Sequence, residues 1–409
     1  MPDLSTRQNR TLKLALDDGS AASIEEAVAR FREFRICVDV RESVPASPGL
    51  EAALLTLLNA GPRTFLGGVE VTGDVTQRLS LAWFEGMSVA DVARSFGASV
   101  TNQPSPLTPT VLLGPDPVPD RPFALSLQCG EAGFCLSPEG LGASSPRAEV
   151  ECGVAAAGAA LSEAFRFVYS RHPLAGRRRI RFTLPTHDRN SPERSLWAIG
   201  LGHLGQAALW SLALRPVGRP KSVRLQDPDS VTESNVSTCL LSGAEDVGRP
   251  KVDVVAGRLE ELGIRCTRVP ETLTLPREVR EGQPEAALVS VDNVELRRSL
   301  DSMAVSRVIE GGIGDGIDAF TRVQIHVLPG PRPAADIWAS GDARASRVID
   351  ISAPAYQHLL KTEDECGITT LAGQSIATPF VGAFAGACMA VVSGRCGTQS
   401  DWSLDVGSL

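Results

Sequence analysis

No two of the chain's nine cysteines form a C-x-x-C pair, and none of its five histidines share an H-x-x-H or H-x-H spacing. Structural zinc is held by ligands at such spacings, so a zinc site is not expected. The cysteines, at 37, 129, 135, 152, 239, 266, 366, 388 and 396, are odd in number and scattered. That pattern fits a reducing compartment without a disulfide framework. Long apolar runs are missing too. None reaches the length of a membrane span, and the opening Met1-Pro2-Asp3-Leu4-Ser5 has no signal-peptide pattern, so a cytoplasmic location is expected. Basic excess is also lacking: the formal net charge of −8 opposes general binding to nucleic acid or to an anionic membrane. No internal repeat of short period occurs. What remains is 409 residues of ordinary soluble composition, 43% hydrophobic and 22% charged, long enough for two or more domains.

The first half is sparse in chemical signals. Residues 1–25 are polar and expected to fray. A short amphipathic helix from Ile24 to Phe34 leads into a strand, Arg35 to Val40. An apolar helix from Leu50 to Leu58 is expected to stop near Gly61-Pro62, ahead of a strand around Thr64 to Val71. No glycine-rich phosphate loop lies between Val40 and Leu50. Residues 86–102 could open a helix-turn-helix, but the second helix would lack basic residues and would meet Pro104, Pro106 and Pro109. A surface helix is the better reading. Phe123 to Gln128 and Gly133 to Leu136 suggest a hairpin, and Val150 to Ser170 a helix with a small-residue packing face. The cluster Arg177-Arg178-Arg179 reads as solvated or as a domain contact. A polar linker at Pro185 to Glu193 divides the chain into domains of residues 1–190 and 191–409.

The second half opens on its most informative stretch, Leu196 to Ala208, reading L-W-A-I-G-L-G-H-L-G-Q-A-A. The run Leu196 to Ile199 has the size of a buried parallel strand. It enters Gly200-x-Gly202-x-x-Gly205, and a helical pattern follows. In such a strand–turn–helix the first glycine permits a tight turn and the second lets a phosphate approach the backbone. The third lets helix and strand pack closely, and the helix N–H groups face the anion. Further strands are expected at Ser222 to Gln226, ending in Asp227-Pro228-Asp229; at Ala286 to Val291, ending in Asp292-Asn293; and at Val305 to Glu310, ending in Gly311-Gly312. A helix starts near Lys251 with Asp246 as its N-cap. Phe320 to Leu328 is β-like, residues 331–350 form an exposed crossover, and a small-residue helix runs from Thr378 to Val392.

Two chemistries compete for the glycine loop. In a nicotinamide-dependent oxidoreductase Asp227 would hold the adenine ribose, but Asn235, Lys251 and Asp292 would have no role. Transfer of AMP from ATP to a carboxylate employs them all. It needs a cation on the α-phosphate (Lys251), a carboxylate for Mg²⁺ (Asp292) and a hydrogen bond to the ribose. His203, between the glycines, reads as a tolerated loop residue.

In order and spacing, Gly200-x-Gly202-x-x-Gly205, Asp227-x-Asp229, Asn235, Gly248-x-x-Lys251 and Asp292-Asn293 with Arg297 resemble the ubiquitin-activating superfamily, which includes ThiF- and MoeB-like adenylyltransferases. The likeness runs from Leu196 to Val392. It implies an α/β, Rossmann-like, doubly wound and mostly parallel sheet as the ATP-binding adenylation domain, with a crossover loop at about residues 329–366. The first half would then be a degenerate adenylation-like α/β domain. By this resemblance Asp227, with Asp229 beside it, belongs to the ribose site, Asn235 and Lys251 contact phosphates, and Asp292 holds Mg²⁺. The substrate would be the C-terminal tail of a ubiquitin-like protein of a bacterial pathway. Asp364-Glu365-Cys366-Gly367 resembles the D-x-C-G of bacterial relatives, so Cys366 would accept the acyl group as a thioester. The implied partners are that ubiquitin-like protein, a ubiquitin-conjugating-type enzyme and, for the assembly, a second copy of the chain. The sequence departs from the family at Thr238, where an arginine for the γ-phosphate is usual; Arg249, or an arginine from the first domain or from a partner chain, would have to serve. Sulfur transfer or peptide modification without a protein thioester, and a catalytically inactive scaffold, remain as alternatives.

Overall fold

The structure, a computed structural model, describes residues 9–41, 43–115, 119–184, 195–275, 284–314, 316–339, 351–361, 365–394 and 402–409. Two seven-stranded sheets carry the chain. The first contains β1 (Arg35–Val40), β2 (Gly68–Gly73), β3 (Ser99–Val100), β4 (Thr110–Leu113), β5 (Ala124–Cys129), β6 (Gly133–Ser137) and β7 (Ile180–Thr183), in the order β3-β2-β1-β4-β5-β6-β7. The second contains β8 (Ser195–Ile199), β9 (Ser222–Gln226), β10 (Arg265–Val269), β11 (Ala286–Val289), β12 (Arg307–Ile313), β13 (Arg322–Leu328) and β14 (Trp402–Asp405), in the order β10-β9-β8-β11-β12-β13-β14. The orders are the same. In each sheet the first five strands are parallel and the last two antiparallel. This is a Rossmann-like α/β architecture built twice. The strand order reverses at β1/β4 and again at β8/β11, the places where such sheets open a crevice at their carboxyl ends.

The central strands are apolar runs because helices cover both of their faces: β11 is buried throughout, and β8 at all but its first residue. Edge strand β10 carries no such run and is largely exposed, so its sequence did not single it out. The expected hairpin is β5–β6, in antiparallel register.

Helices α1 (Pro48–Thr64), α2 (Val150–Tyr169), α3 (His203–Leu214) and α7 (Pro379–Ser393) form the layer between the sheets. Their small residues let backbones touch. A Cβ on Gly158 would come within 2.6 Å of the Phe380 carbonyl oxygen, and one on Gly386 within 2.5 Å of the Ala207 backbone. Arg215 crosses this layer, pairing with buried Glu151 at 2.5 Å and donating to the Ala390 carbonyl at 3.1 Å. Between α3 and α7 come α4 (Lys251–Glu260), α5 (Val294–Arg298) and α6 (Glu365–Gly373).

Several local expectations need correction. Helix α1 does not stop at Gly61-Pro62 but runs on to Thr64. Gly61 seats the helix tightly on Val69 of β2, and the last turn keeps the Phe65 N–H to Gly61 carbonyl bond at 2.8 Å. Strand β12 continues through Gly311-Gly312 to Ile313, where these residues keep antiparallel register with Ile325, Gln324 and Val323 of β13; glycine at 311 leaves room for the Met389 sulfur of α7. Asp246 does not cap α4; its carboxylate accepts from the Gly243 N–H at 3.0 Å, and Pro250 occupies the N-cap. Residues 9–17 do not fray. Leu12, Leu14, Ala15 and Leu16 are buried, and a short helix spans Lys13–Asp17. Of the expected crossover, residues 340–350 and 362–364 lie outside the described residues, as does the linker at 185–194. No helix among the described residues is long and apolar enough to cross a membrane.

Candidate functional site

Each glycine of the loop after β8 has its own steric reason. Gly200 sits at φ +82°, and a Cβ there would lie 2.7 Å from the Ser290 carbonyl oxygen. A Cβ on Gly205 would lie 2.0 Å from the Gly200 carbonyl oxygen, so only glycine lets α3 pack on the turn. A Cβ on Gly202 would meet nothing within 4 Å. Gly202 is the N-cap of α3 and lines an open cleft.

That cleft encloses about 770 Å³. Gly200, Gly202, Asp227, Asp229, Asn235, Lys251 and Asp292 all line it; Gly205 stands behind them. Residues from four separate strand ends and helix starts thus converge. The loop after β9 is tied to the start of α4 by a bridge between Ser230 and Pro250 and by the Lys251 N–H bond to the Asp229 carbonyl at 3.0 Å. This tie places the lysine opposite the glycine turn.

Asp227 is buried. One of its oxygens accepts the Leu201 N–H of the glycine loop at 2.6 Å, and the other the Asp229 N–H at 2.9 Å. The Lys251 ammonium lies 2.9 Å from Asp229 and 3.6 Å from Asp227. Burial alone would lower the Lys251 pKa, but the two carboxylates outweigh it and hold the group above its ordinary value. The lysine is therefore a fixed cation in the cleft. Asn235 Oδ1 accepts the Thr232 N–H at 3.1 Å, completing a capping box on the short helix Glu233–Val236. Its amide nitrogen has no partner among the described residues.

Across the cleft, Asp292 is exposed just beyond the end of β11, and Asn293 caps α5 by accepting the Leu296 N–H at 2.9 Å. Arg297 donates to the Val291 carbonyl at 2.7 Å, lies 3.2 Å from Glu310 and stacks over Trp338 at 4.6 Å. Glu310 is fully buried, and neither of its oxygens has a hydrogen-bond partner among the described residues. Burial pushes its pKa up to about 7, against the pull of Arg297. The folded chain therefore holds this proton more tightly than the unfolded chain does. The resulting stability is full below the ordinary carboxylate pKa and is lost as pH rises through about 7. Between pH 5 and 8 the wild-type melting temperature should fall by a few degrees more than that of Glu310→Gln; equal slopes in thermal melts would refute this.

Arg10 is not singled out by sequence reasoning, which names only an unspecified arginine of the first domain as one option. It lines the cleft, and its guanidinium donates twice to the Ser375 carbonyl, at 3.1 and 2.9 Å. Its backbone N–H donates to Ser237 at 3.2 Å, and Thr11 donates to the Ala377 carbonyl at 3.2 Å. Arg249 is more than half exposed, is paired with Asp246 and does not line the cleft. Thr238 is buried and lines it. His203 also lines it; burial first, and then the Arg10 charge, push its pKa down to about 3, so it stays neutral. Cys366 is the second residue of α6, and its side chain lies outside the described residues. Among the described residues no group of three or more His, Cys, Asp or Glu could hold a metal unaided.

A glycine turn, a fixed lysine and strand-end carboxylates at the switch point of a doubly wound sheet define an E1-like class of protein. Within it the chain belongs to the BilD family: residues 35–184 match the BilD N-terminal domain and residues 192–395 the BilD C-terminal domain. The bacterial E1-like protein BilD of Collimonas sp. (strain OK412) is 35% identical over 407 residues, spanning 94% of this chain and 87% of that protein. Among solved structures, E. coli MccB overlaps 54% of this chain and 63% of its own at 12% identity and a TM-score of 0.33. E. coli tRNA N6-threonylcarbamoyladenosine dehydratase, TcdA, overlaps 49% of this chain and 87% of its own at 18% identity and a TM-score of 0.29. The family assignment rests on the sequence matches.

Proposed function

We propose that the chain is an ATP-dependent activating enzyme that adenylates the C-terminal carboxylate of a ubiquitin-like protein. The observation that carries this reading is the convergence of Lys251, Asp227, Asn235, Asp292 and Arg10 on one cleft above the bare Cα of Gly202. A triphosphate laid over Gly202 meets the N–H groups at the start of α3. Asp227 accepts from the ribose hydroxyls. A carboxylate oxygen of the incoming tail attacks the α-phosphorus, and the bond to pyrophosphate breaks. Lys251 and Asn235 offset the charge that develops on the phosphates, a task of positioning and preorganised electrostatics. Asp292 suits Mg²⁺, an ion that takes one or two protein carboxylates and completes its shell with phosphate oxygens; once bound it would neutralise phosphate charge.

Arg10 answers the departure at Thr238. It comes from the N-terminal segment and already reaches the cleft, where its guanidinium donates to the Ser375 carbonyl beside the place a γ-phosphate would take. Arg10→Ala should slow ATP–pyrophosphate exchange roughly 10- to 100-fold, the size of one charge-assisted hydrogen-bond set. Arg249→Ala should leave exchange unchanged. The reverse order would move the role to Arg249.

After adenylation, the Cys366 thiolate displaces AMP to form a thioester, which passes to a conjugating-type enzyme. Pyrophosphate exchange stimulated by a ubiquitin-like protein with a free C-terminus tests the first step. Exchange with short free peptides alone would favour peptide modification, and no exchange with any acceptor would favour a scaffold. A reducible adduct that persists in Cys366→Ala would place the acceptor elsewhere.

A further inference from the structure

A second cavity, of about 620 Å³, lies between the two halves of the molecule. Leu66, Trp83, Phe84 and Phe96 of the first half and Trp210 and Leu240 of the second supply its apolar wall. Trp83 and Trp210 stack at 5.6 Å and 18°. Both indole N–H groups are already engaged, with the Arg258 carbonyl at 2.8 Å and the Thr56 hydroxyl at 3.0 Å, so the rings offer carbon surface. A volume and lining of this kind are those of a small-molecule site.

One wall residue, Arg63, departs from that apolar character. Its guanidinium donates to the carbonyl and side-chain oxygens of Asn59, each at 3.1 Å, to the Val236 carbonyl and to the Ser242 carbonyl at 3.2 Å. All these acceptors are neutral, and no carboxylate lies within ion-pair distance among the described residues. Burial lowers its pKa from the ordinary value, with Cys239 and Glu245 acting in the opposite direction. Carboxylates occur at the exposed edge of the cavity, on Glu233, Glu245 and Glu261, and Glu245 is paired with Arg258 at 3.2 Å. A half-buried guanidinium with no ion-pair partner among the described residues, set in an aromatic wall, suits an anion on an apolar body.

We propose that this cavity binds a small aromatic carboxylate, its ring against Trp83, Phe84 and Phe96 and its carboxylate on Arg63. Binding there is coupled to the nucleotide cleft, a coupling that rests on the ATP reading above. Two of the three carbonyls that hold Arg63 belong to Val236 and Ser242, on the segment whose other side presents Asn235 and Thr238 to the cleft. Ser237, between them, accepts the Arg10 N–H and lines the second cavity.

Calorimetric titration of the full chain with 2-naphthoate tests this. One saturable site per chain is expected, with the neutral 2-naphthamide at least 10-fold weaker. Arg63→Met should weaken 2-naphthoate at least 10-fold. Arg63 also braces the fold, so a second variant is needed: Ser95→Trp, from an exposed lining position, should fill the cavity and abolish binding at an unchanged melting temperature. No saturable binding, equal affinity for the amide, or undiminished binding to Ser95→Trp would overturn the site. With 2-naphthoate saturating, ATP affinity should shift several-fold, and ATP should shift 2-naphthoate affinity by the same factor. If both bind without mutual effect, the coupling is wrong. If 2-naphthoate binds and ATP does not, the nucleotide reading fails and the cavity stands.

Discussion

Lys251→Ala will lower ATP–pyrophosphate exchange by about 10²- to 10³-fold, the loss that follows removal of one preorganised charge donor from a transition state. It will also lower the melting temperature. The ammonium is buried between Asp227 and Asp229, and its removal leaves Asp227, with little access to water, beside a like charge. Asp292→Ala provides the contrast. Asp292 is exposed and makes no hydrogen bond among the described residues, so exchange should fall by a comparable factor with the melting temperature unchanged. Exchange assays and thermal melts on the same preparations separate the two effects. Full exchange in either variant would remove that residue from the proposed chemistry.

Gly202→Ala and Gly205→Ala should diverge just as clearly. At Gly202 a methyl meets no atom within 4 Å, so the fold is kept while the methyl stands where phosphate must approach. The KM for ATP should rise at least about 10-fold with the melting temperature nearly unchanged, in keeping with the loss of one or more phosphate hydrogen bonds. At Gly205 the methyl would lie 2.0 Å from the Gly200 carbonyl oxygen, a backbone atom that cannot swing aside, and 2.8 Å from the Ser290 hydroxyl oxygen. Overpacking of this kind costs about 1–3 kcal/mol or more, so Gly205→Ala should melt several degrees lower or fail to fold. Equal melting temperatures would show that the turn can relax.

The sequence revealed those parts of the molecule that are written locally. Strand β8, its glycine turn and strand β9 lie in continuous stretches, and the polar residues that end each strand fall in one cleft because parallel strands present their carboxyl ends together. The small-residue character of α2 and α7 was also visible, although its purpose, backbone contact between the two halves, was not. Features that depend on distant partners were illegible. Arg10 meets Ser375 across 365 positions, and nothing in its polar neighbourhood marks it. Strand β10 has an exposed edge and no apolar run to announce it. The passage of α1 through Pro62 depends on Gly61 fitting against Val69, a contact that follows from the fold.

The helical layer between the sheets has a consequence for inheritance. Gly158 of α2 abuts Phe380 of α7, and Gly386 of α7 abuts α3, so these backbones have no room for a side chain at either contact. A recombinant that joined the first half of one relative to the second half of another would bring together helix faces shaped on different partners. Whatever happens at loops away from the cleft, α2, α3 and α7 must be exchanged as one block.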